Sequence, residues 1–265
     1  MELPKVRFGA YRISRLICGS NPFLGYSYRS EAHNAWQRRH FTPERIAQIL
    51  EVCAEQGINA VAGNEDEQHT LATALQMMEK RTGHRLHWIA YTHGGPNHQE
   101  ESIQRIADAG AIACYIQGGV VDSRFQYNYV GDLQMDQPHR LDDIRGWLAC
   151  IRAKGMIPGI GTHRAQILSL ADNSDYDVEF FTHPVNYLGV YCSYAETVRA
   201  VRSTDRTVIA IKTLGGSAKI RPKDGFTCGY TALKPKDLIA VGMEHEEAVR
   251  ENVRLATRII ALLQS

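Results

Sequence analysis

Short apolar runs alternate with longer amphipathic segments along almost the whole chain. The runs fall at 16–18, 58–61, 86–91, 112–116, 157–160, 178–181, 208–211 and 238–241, and each is followed by turn or small polar residues. A continuous apolar run with such an end is what a parallel strand covered on both faces presents. Helical stripes fill the intervals. Thr42 and Pro43 make a helix start, Ile46, Ile49, Leu50 and Cys53 carry its apolar face, and Gly57 stops it. Leu71, Leu75 and Met78 lead to a stop at Gly83, Ile103 and Ile106 to one at Gly110, and the segment 141–154 to Gly155. Shorter helices are predicted at 166–171 and 194–202, and a last one at 246–263. The stretch 6–14 alternates around Gly9 and Ala10, as a β-hairpin does.

Eight strand–helix units in 265 residues predict one (β/α)8 TIM barrel over residues 1–265, with an N-terminal hairpin and no internal linker. A doubly wound open sheet competes, but no glycine-rich fingerprint follows the first strand. Three stretches read as loops. Segments 118–140 and 213–236 are expected to be long loops at the C-terminal mouth, the second because it has little helical stripe. His33, Trp36, Arg38, Arg39 and His40 form an aromatic-basic loop, either a lid or solvated surface.

Closure of a barrel brings the strand ends to one mouth. The residues expected there are Ser20, Asn21, Glu65, Asp66, His93, Gln117, Thr162, His163, His183, Asn186, Lys212 and Met243. His163, Lys212, Glu65 and Gln117 are the catalytic candidates, and Asn21, Asp66, Asn186 and Tyr187 the substrate-binding ones. Neutral imidazoles suit zinc, manganese or iron, so His93, His163 and His183 are candidate ligands of a divalent metal. Each residue has a plainer alternative: His163 as a helix cap, His93 as a loop residue, His183 as a turn residue before Pro184, Glu65 as a favourable charge at a helix start.

Thirty basic and 29 acidic residues, with no block of either sign, exclude nucleic acid and membrane surfaces as main partners. No apolar stretch approaches the roughly 18 residues that span a bilayer. The six cysteines are dispersed with no Cys-x-x-Cys spacing, so zinc-ribbon and thioredoxin-like chemistry is not expected. A reduced, cytoplasmic protein acting on a small molecule is the expectation; a homo-oligomer is compatible with it.

Several segments resemble the aldo/keto reductases, in the same order along the chain. Ile13-Ser-Arg-Leu-Ile-Cys-Gly19 after the hairpin is similar to their first strand, and Lys154-Gly-Met-Ile-Pro-Gly-Ile-Gly-Thr-His163 to a segment of one bacterial branch. Ile211-Lys-Thr-Leu-Gly-Gly216 resembles their pyrophosphate clamp, and the stretch from Gly242 to Glu251 and Asn252 their last helix. The resemblance implies the barrel and an NAD(P) site at Lys212, Gly215, Gly216, Glu251 and Asn252. It also implies a catalytic Asp, Tyr, Lys and His, and here all four are replaced. Ala62 stands near the Asp position, no Tyr lies between Val61 and Tyr91, His93 follows the third strand and Gln117 the fourth.

Three readings follow. The first is a lyase, isomerase or epimerase acting on a hydroxylated carbonyl or sugar-like compound. In it His163 and Glu65 exchange protons and Lys212 stabilises an enolate or forms a Schiff base, with or without a metal. The second is an NAD(P)H-dependent oxidoreductase with a replaced tetrad. The third is an inactive barrel serving as subunit or sensor.

Overall fold

The structure is a computed structural model that describes residues 2–124, 126–127, 133–134, 138–216 and 219–264. An antiparallel hairpin opens the chain, β1 (Lys5–Phe8) and β2 (Tyr11–Ser14), and turns through Gly9 at φ +55°. Next come β3 (Leu16–Gly19), α1 (Glu31–His40), α2 (Pro43–Glu55), β4 (Ala60–Asn64) and α3 (Thr70–Thr82). They lead into β5 (His87–Tyr91), α4 (Gln99–Asp108), β6 (Ala113–Ile116) and α5 (Gly118–Ser123). The two-residue strands β7 (Gln126–Tyr127) and β8 (Leu133–Gln134) pair with each other before α6 (Pro138–Ala153). Then follow β9 (Ile157–Gly161), α7 (Ala165–Asp172), β10 (Phe180–Pro184) and α8 (Tyr194–Ser203). The chain ends with β11 (Thr207–Ile211), α9 (Pro222–Ala232), β12 (Leu238–Gly242) and α10 (Glu246–Gln264).

Strands β3, β4, β5, β6, β9, β10, β11 and β12 pair in parallel, and β12 returns to β3 to close the barrel. The eight strand–helix units expected from the sequence are therefore present, and the sheet closes.

Strand geometry decides which side chains reach the interior, because successive residues face opposite sides. Ile17, Ala60, Ala62, Ile89, Ala113, Tyr115, Ile157, Phe180, Ile209, Leu238 and Ala240 pack together inside the barrel. Their neighbours Cys18, Val61, Trp88, Ala90, Cys114, Phe181, Val208 and Ile239 pack outward against the helices. The hairpin belongs to the inner set. Phe8 and Ile13 are buried there, and Phe8 meets Phe180 edge-on with ring centroids 5.1 Å apart. The hairpin thus plugs the N-terminal end and leaves the other end as the mouth.

The structure corrects the sequence at four places. Residues 31–40 are helical: Ser30 caps α1, its side chain accepting the His33 N–H. The helix hides only Gln37, so no apolar stripe announces it, and Trp36 instead stacks between His33 and His40. Segment 213–236 contains α9, which packs through Gly225 and Gly229. A Cβ at either would fall within 2.9 Å of Leu214, Thr213 or Ile239, so glycines occupy part of a buried face otherwise made by Phe226, Tyr230 and Ala232, and the stripe is weak. Segment 118–140 starts with α5; residues 125, 128–132 and 135–137 lie outside the described residues. Finally, β10 continues to Pro184, so His183 belongs to the strand and not to a turn. No described helix is long and apolar enough to cross a membrane.

Candidate functional site at the barrel mouth

The mouth opens into a cavity of about 790 Å³ whose walls include Asn21, Tyr28, Tyr91, His93, Tyr115, Gln117, Thr162, His163, Tyr191, Lys212 and Gly216. That volume lies within the ordinary range for small-molecule sites.

On one wall stands an imidazole with a carboxylate partner. His163 follows β9 on the inward-facing phase of that strand. Asp122 comes from α5, whose N-cap is Gln117: the Gln117 side chain accepts the Val120 N–H at 3.1 Å. Asp122 Oδ2 is 2.8 Å from His163 Nδ1, and the carboxylate also accepts the His163 backbone N–H (3.1 Å) and the Thr162 hydroxyl (2.5 Å). An ionised carboxylate only accepts, so Nδ1 carries a proton, and in the neutral ring Nε2 is the nitrogen with the free lone pair. Gly118 makes room, since a Cβ there would lie 2.9 Å from His163 Cε1.

Across the cavity Lys212 follows β11 and Tyr28 lies in the loop between β3 and α1. Lys212 Nζ donates to the Tyr28 hydroxyl at 3.0 Å and lies 4.3 Å from the centre of that ring and 4.6 Å from the centre of Tyr191. Burial lowers the Lys212 pKa below the ordinary lysine value, opposed by the Tyr191 phenol. The Tyr28 oxygen also accepts from Asn21 Nδ2 at 2.8 Å, while Asn21 Oδ1 accepts from Tyr91 at 3.2 Å. With two donors on its oxygen, Tyr28 has its own hydroxyl hydrogen left to give. Burial raises its pKa and the Asn21 bond opposes the rise, so the phenol stays protonated near neutrality. Burial keeps Tyr91 and Tyr115 protonated as well.

Tyr191 joins the two walls. Its ring centre is 4.8 Å from that of His163, and the Lys212 ammonium rests on the same ring. The backbones of Tyr28, Tyr191 and Lys212 all have positive φ, 60°, 78° and 54°. Such a conformation costs a side-chain-bearing residue about 1–3 kcal/mol. Outside this trio, the described non-glycine residues adopt positive φ only at His69.

Of the predicted site residues, the structure brings Asn21, His93, Gln117, Thr162, His163, Lys212 and Gly216 to the cavity and leaves the others elsewhere. Glu65 is turned from the interior and buried, with Oε1 2.5 Å from His69 Nδ1. Burial raises its pKa and the His69 bond opposes the rise. Asp66 caps α3, accepting the Thr70 N–H at 2.7 Å. Asn186 is buried and accepts the Val190 N–H at 3.0 Å, and Tyr187 is exposed outside the cavity. Ser20 and Met243 are buried beneath the rim.

The three candidate metal histidines do not gather. His183 faces the helix layer, with Nδ1 on the Thr162 carbonyl at 2.9 Å and Nε2 3.4 Å from the Thr197 hydroxyl. His163 Nδ1 is held by Asp122. Among the described residues no three His, Cys, Asp or Glu side chains are grouped to hold an ion. The dinucleotide set fits no better. Gly215 is buried, Asn252 is buried on the inner face of α10, Glu251 points to solvent, and Lys212 is enclosed by two tyrosines. Glu244 lines the cavity just ahead of Glu246 and Glu247 in the first turn of α10, an acidic entry that disfavours a pyrophosphate. Asp122, Tyr28 and Tyr191 were not among the predicted site residues. None of the three carried a signal in the sequence beyond residue type.

No protein-family model matches the sequence, and no curated protein does. Solved structures do match. A putative aldo-keto reductase from Pseudomonas aeruginosa superposes with a TM-score of 0.66 at 11% identity, over 95% of this chain and 93% of that one. A thermostable aldo-keto reductase in complex with the inhibitor epalrestat gives 0.61 at 11%, over 99% and 98%. The thiamine phosphate pyrophosphorylase of Pyrococcus furiosus gives 0.52 at 11%, over 83% and 91%. At such identities the likeness concerns architecture: the chain is a (β/α)8 barrel that superposes on aldo-keto reductases along nearly its whole length.

Proposed function

We propose that the mouth performs acid–base chemistry on a small hydroxylated carbonyl compound, removing a proton beside the carbonyl and returning it elsewhere, as an isomerase, epimerase or lyase does. The observation that carries this reading is the contact of His163 and Lys212 with one ring, Tyr191, which sets a base and a cation on two sides of one small cavity. His163 Nε2 takes the proton, and Asp122 holds the tautomer and stabilises the imidazolium that results. Lys212 and the Tyr28 hydroxyl face the carbonyl oxygen and stabilise the negative charge that develops on it. Asp122 thus takes the place expected for Glu65.

The oxidoreductase reading draws on the same Tyr28–Lys212 pair, since carbonyl reduction also needs a tyrosine proton donor beside a lysine. The poor fit of the dinucleotide set counts against it. Transfer of deuterium from D2O into dihydroxyacetone, glyceraldehyde and related sugars, followed by NMR, tests the proposal. Exchange that disappears in His163→Ala and Tyr28→Phe supports it. No exchange with any of these compounds, together with NADPH-dependent reduction of them, would sink it in favour of the reductase.

A further inference from the structure

We infer that Lys212 is a covalent catalyst that condenses with the carbonyl carbon of an aldehyde or ketone substrate to form an imine in the cavity. The inference rests on the acid–base reading above and deepens it, because it states how the carbonyl is held and activated.

The surroundings of Lys212 are unusual for a lysine. Among the described residues its contacts are the Tyr28 hydroxyl and the rings of Tyr28 and Tyr191, and none of these contacts is a carboxylate. A surface lysine is solvated or paired, and a structural buried one pairs with an acid, as Lys234 does here with Asp237 at 2.9 Å. A half-buried lysine set between aromatic rings, with no anion beside it among the described residues, reaches its neutral, nucleophilic form more readily, and burial shifts Lys212 in that direction. The two ring faces favour a cation. They therefore also suit the protonated imine, which keeps its positive charge where the amine has lost it. The left-handed backbone at Lys212, Tyr28 and Tyr191 holds the three groups together.

The steps balance with the groups present. The neutral Nζ adds to the carbonyl carbon: an N–C bond forms, the C–O double bond becomes single, and one nitrogen proton passes to oxygen, giving a carbinolamine. The C–O bond then breaks as Tyr28 gives its proton to the departing oxygen. Water leaves, and a protonated imine remains beside the Tyr28 phenolate. His163 Nε2 removes the neighbouring carbon proton, the electron pair flows to the imine nitrogen, and an enamine results. Reprotonation and hydrolysis by one water restore the amine. No oxidant or reductant is consumed.

The test is borohydride trapping with dihydroxyacetone, glyceraldehyde or pyruvate as probe, followed by peptide mapping of the reduced adduct. The inference expects Lys212 to be labelled ahead of exposed Lys5 and Lys80 with at least one probe. It also expects no adduct at that position in Lys212→Arg, and slower labelling in Tyr28→Phe, which keeps the lysine. Deuterium exchange is followed on the same samples. Exchange without an adduct on Lys212, or with labelling no faster than at Lys5 and Lys80, overturns the imine and leaves the acid–base reading standing. Absence of both overturns the two together.

Discussion

Lys212 donates a hydrogen bond to the hydroxyl of Tyr28 at 3.0 Å, across 184 positions of sequence, and both residues hold a left-handed backbone. For L-residues that conformation costs about 1–2 kcal/mol. Glycine takes it without the steric penalty, although it loses more chain entropy on folding.

The substitution Lys212→Gly separates the two roles of this position. It relieves the strain and removes two cation–ring contacts worth about 0.5–1 kcal/mol each at partly exposed sites. Strain relief and lost ring contacts nearly offset, but the hydrogen bond to Tyr28 is lost as well and glycine gives up more chain entropy on folding. The melting temperature is therefore expected to fall by only a few degrees while deuterium exchange is lost. A melting temperature lowered by many degrees would show that the lysine is there to hold the fold.

Asp122 acts through His163. In Asp122→Asn the carboxylate no longer fixes Nδ1–H or stabilises the imidazolium, and the amide can present its N–H to the ring and invert the tautomer. Exchange is expected to fall by about 10²-fold or more, in line with the worth of general-base catalysis. Thermal stability should change little, since His163 and Asp122 lie at a partly open rim. Equal exchange rates in parent and variant would remove the pair from the mechanism.

His183 should reveal itself in the pH dependence of stability. Burial, opposed by its bond to the Thr162 carbonyl, lowers its pKa from the ordinary 6.5 to about 4. Between those values the unfolded chain binds a proton that the folded chain refuses, so stability falls as pH drops through 6.5 and levels off below 4. The whole effect is about 3 kcal/mol. Asn at this position can donate to the same carbonyl without titrating. Urea unfolding of His183→Asn should therefore show a shallower loss between pH 6.5 and 4, and an unchanged slope would contradict the assignment.

The barrel was legible because strands and helices announce themselves locally, by apolar runs and by 3.6-residue stripes. Part of the mouth was legible on the same terms. Tyr91 and Tyr115 continue the inward phase of Ile89 and Ala113, and Gln117 and His163 continue that of β6 and β9, whereas His183 follows Phe181 on the outward phase. Counting by twos from the core would have removed His183 from the metal set. Tyr28, Tyr191 and Asp122 obey no such count. Two lie in loops with left-handed backbones and one on a six-residue helix, so tertiary placement alone decides where they point. Helix α1 was hidden for a related reason: its buried residue makes a polar contact, Gln37 Nε2 to Glu244 Oε1 at 2.8 Å, in place of an apolar face.

The hairpin plug supports the floor of the mouth from below. Phe8 is buried against Phe180, and the Phe180 ring in turn meets Tyr115, a cavity wall, with centroids 6.0 Å apart. Removing a buried aromatic ring leaves a cavity that a closed barrel can collapse only partly, because its strands are held by hydrogen bonds on both sides. Phe8→Ala is expected to cost about 3–5 kcal/mol, and Phe8→Leu, which nearly keeps the volume, about 1.5 kcal/mol or less. Urea unfolding measures both. If the hairpin were only a surface appendage, the two variants would unfold at nearly the same concentration as the parent. The same change should also loosen Tyr115, so weaker exchange in Phe8→Ala at temperatures where it remains folded would tie the bottom of the barrel to the chemistry at its top.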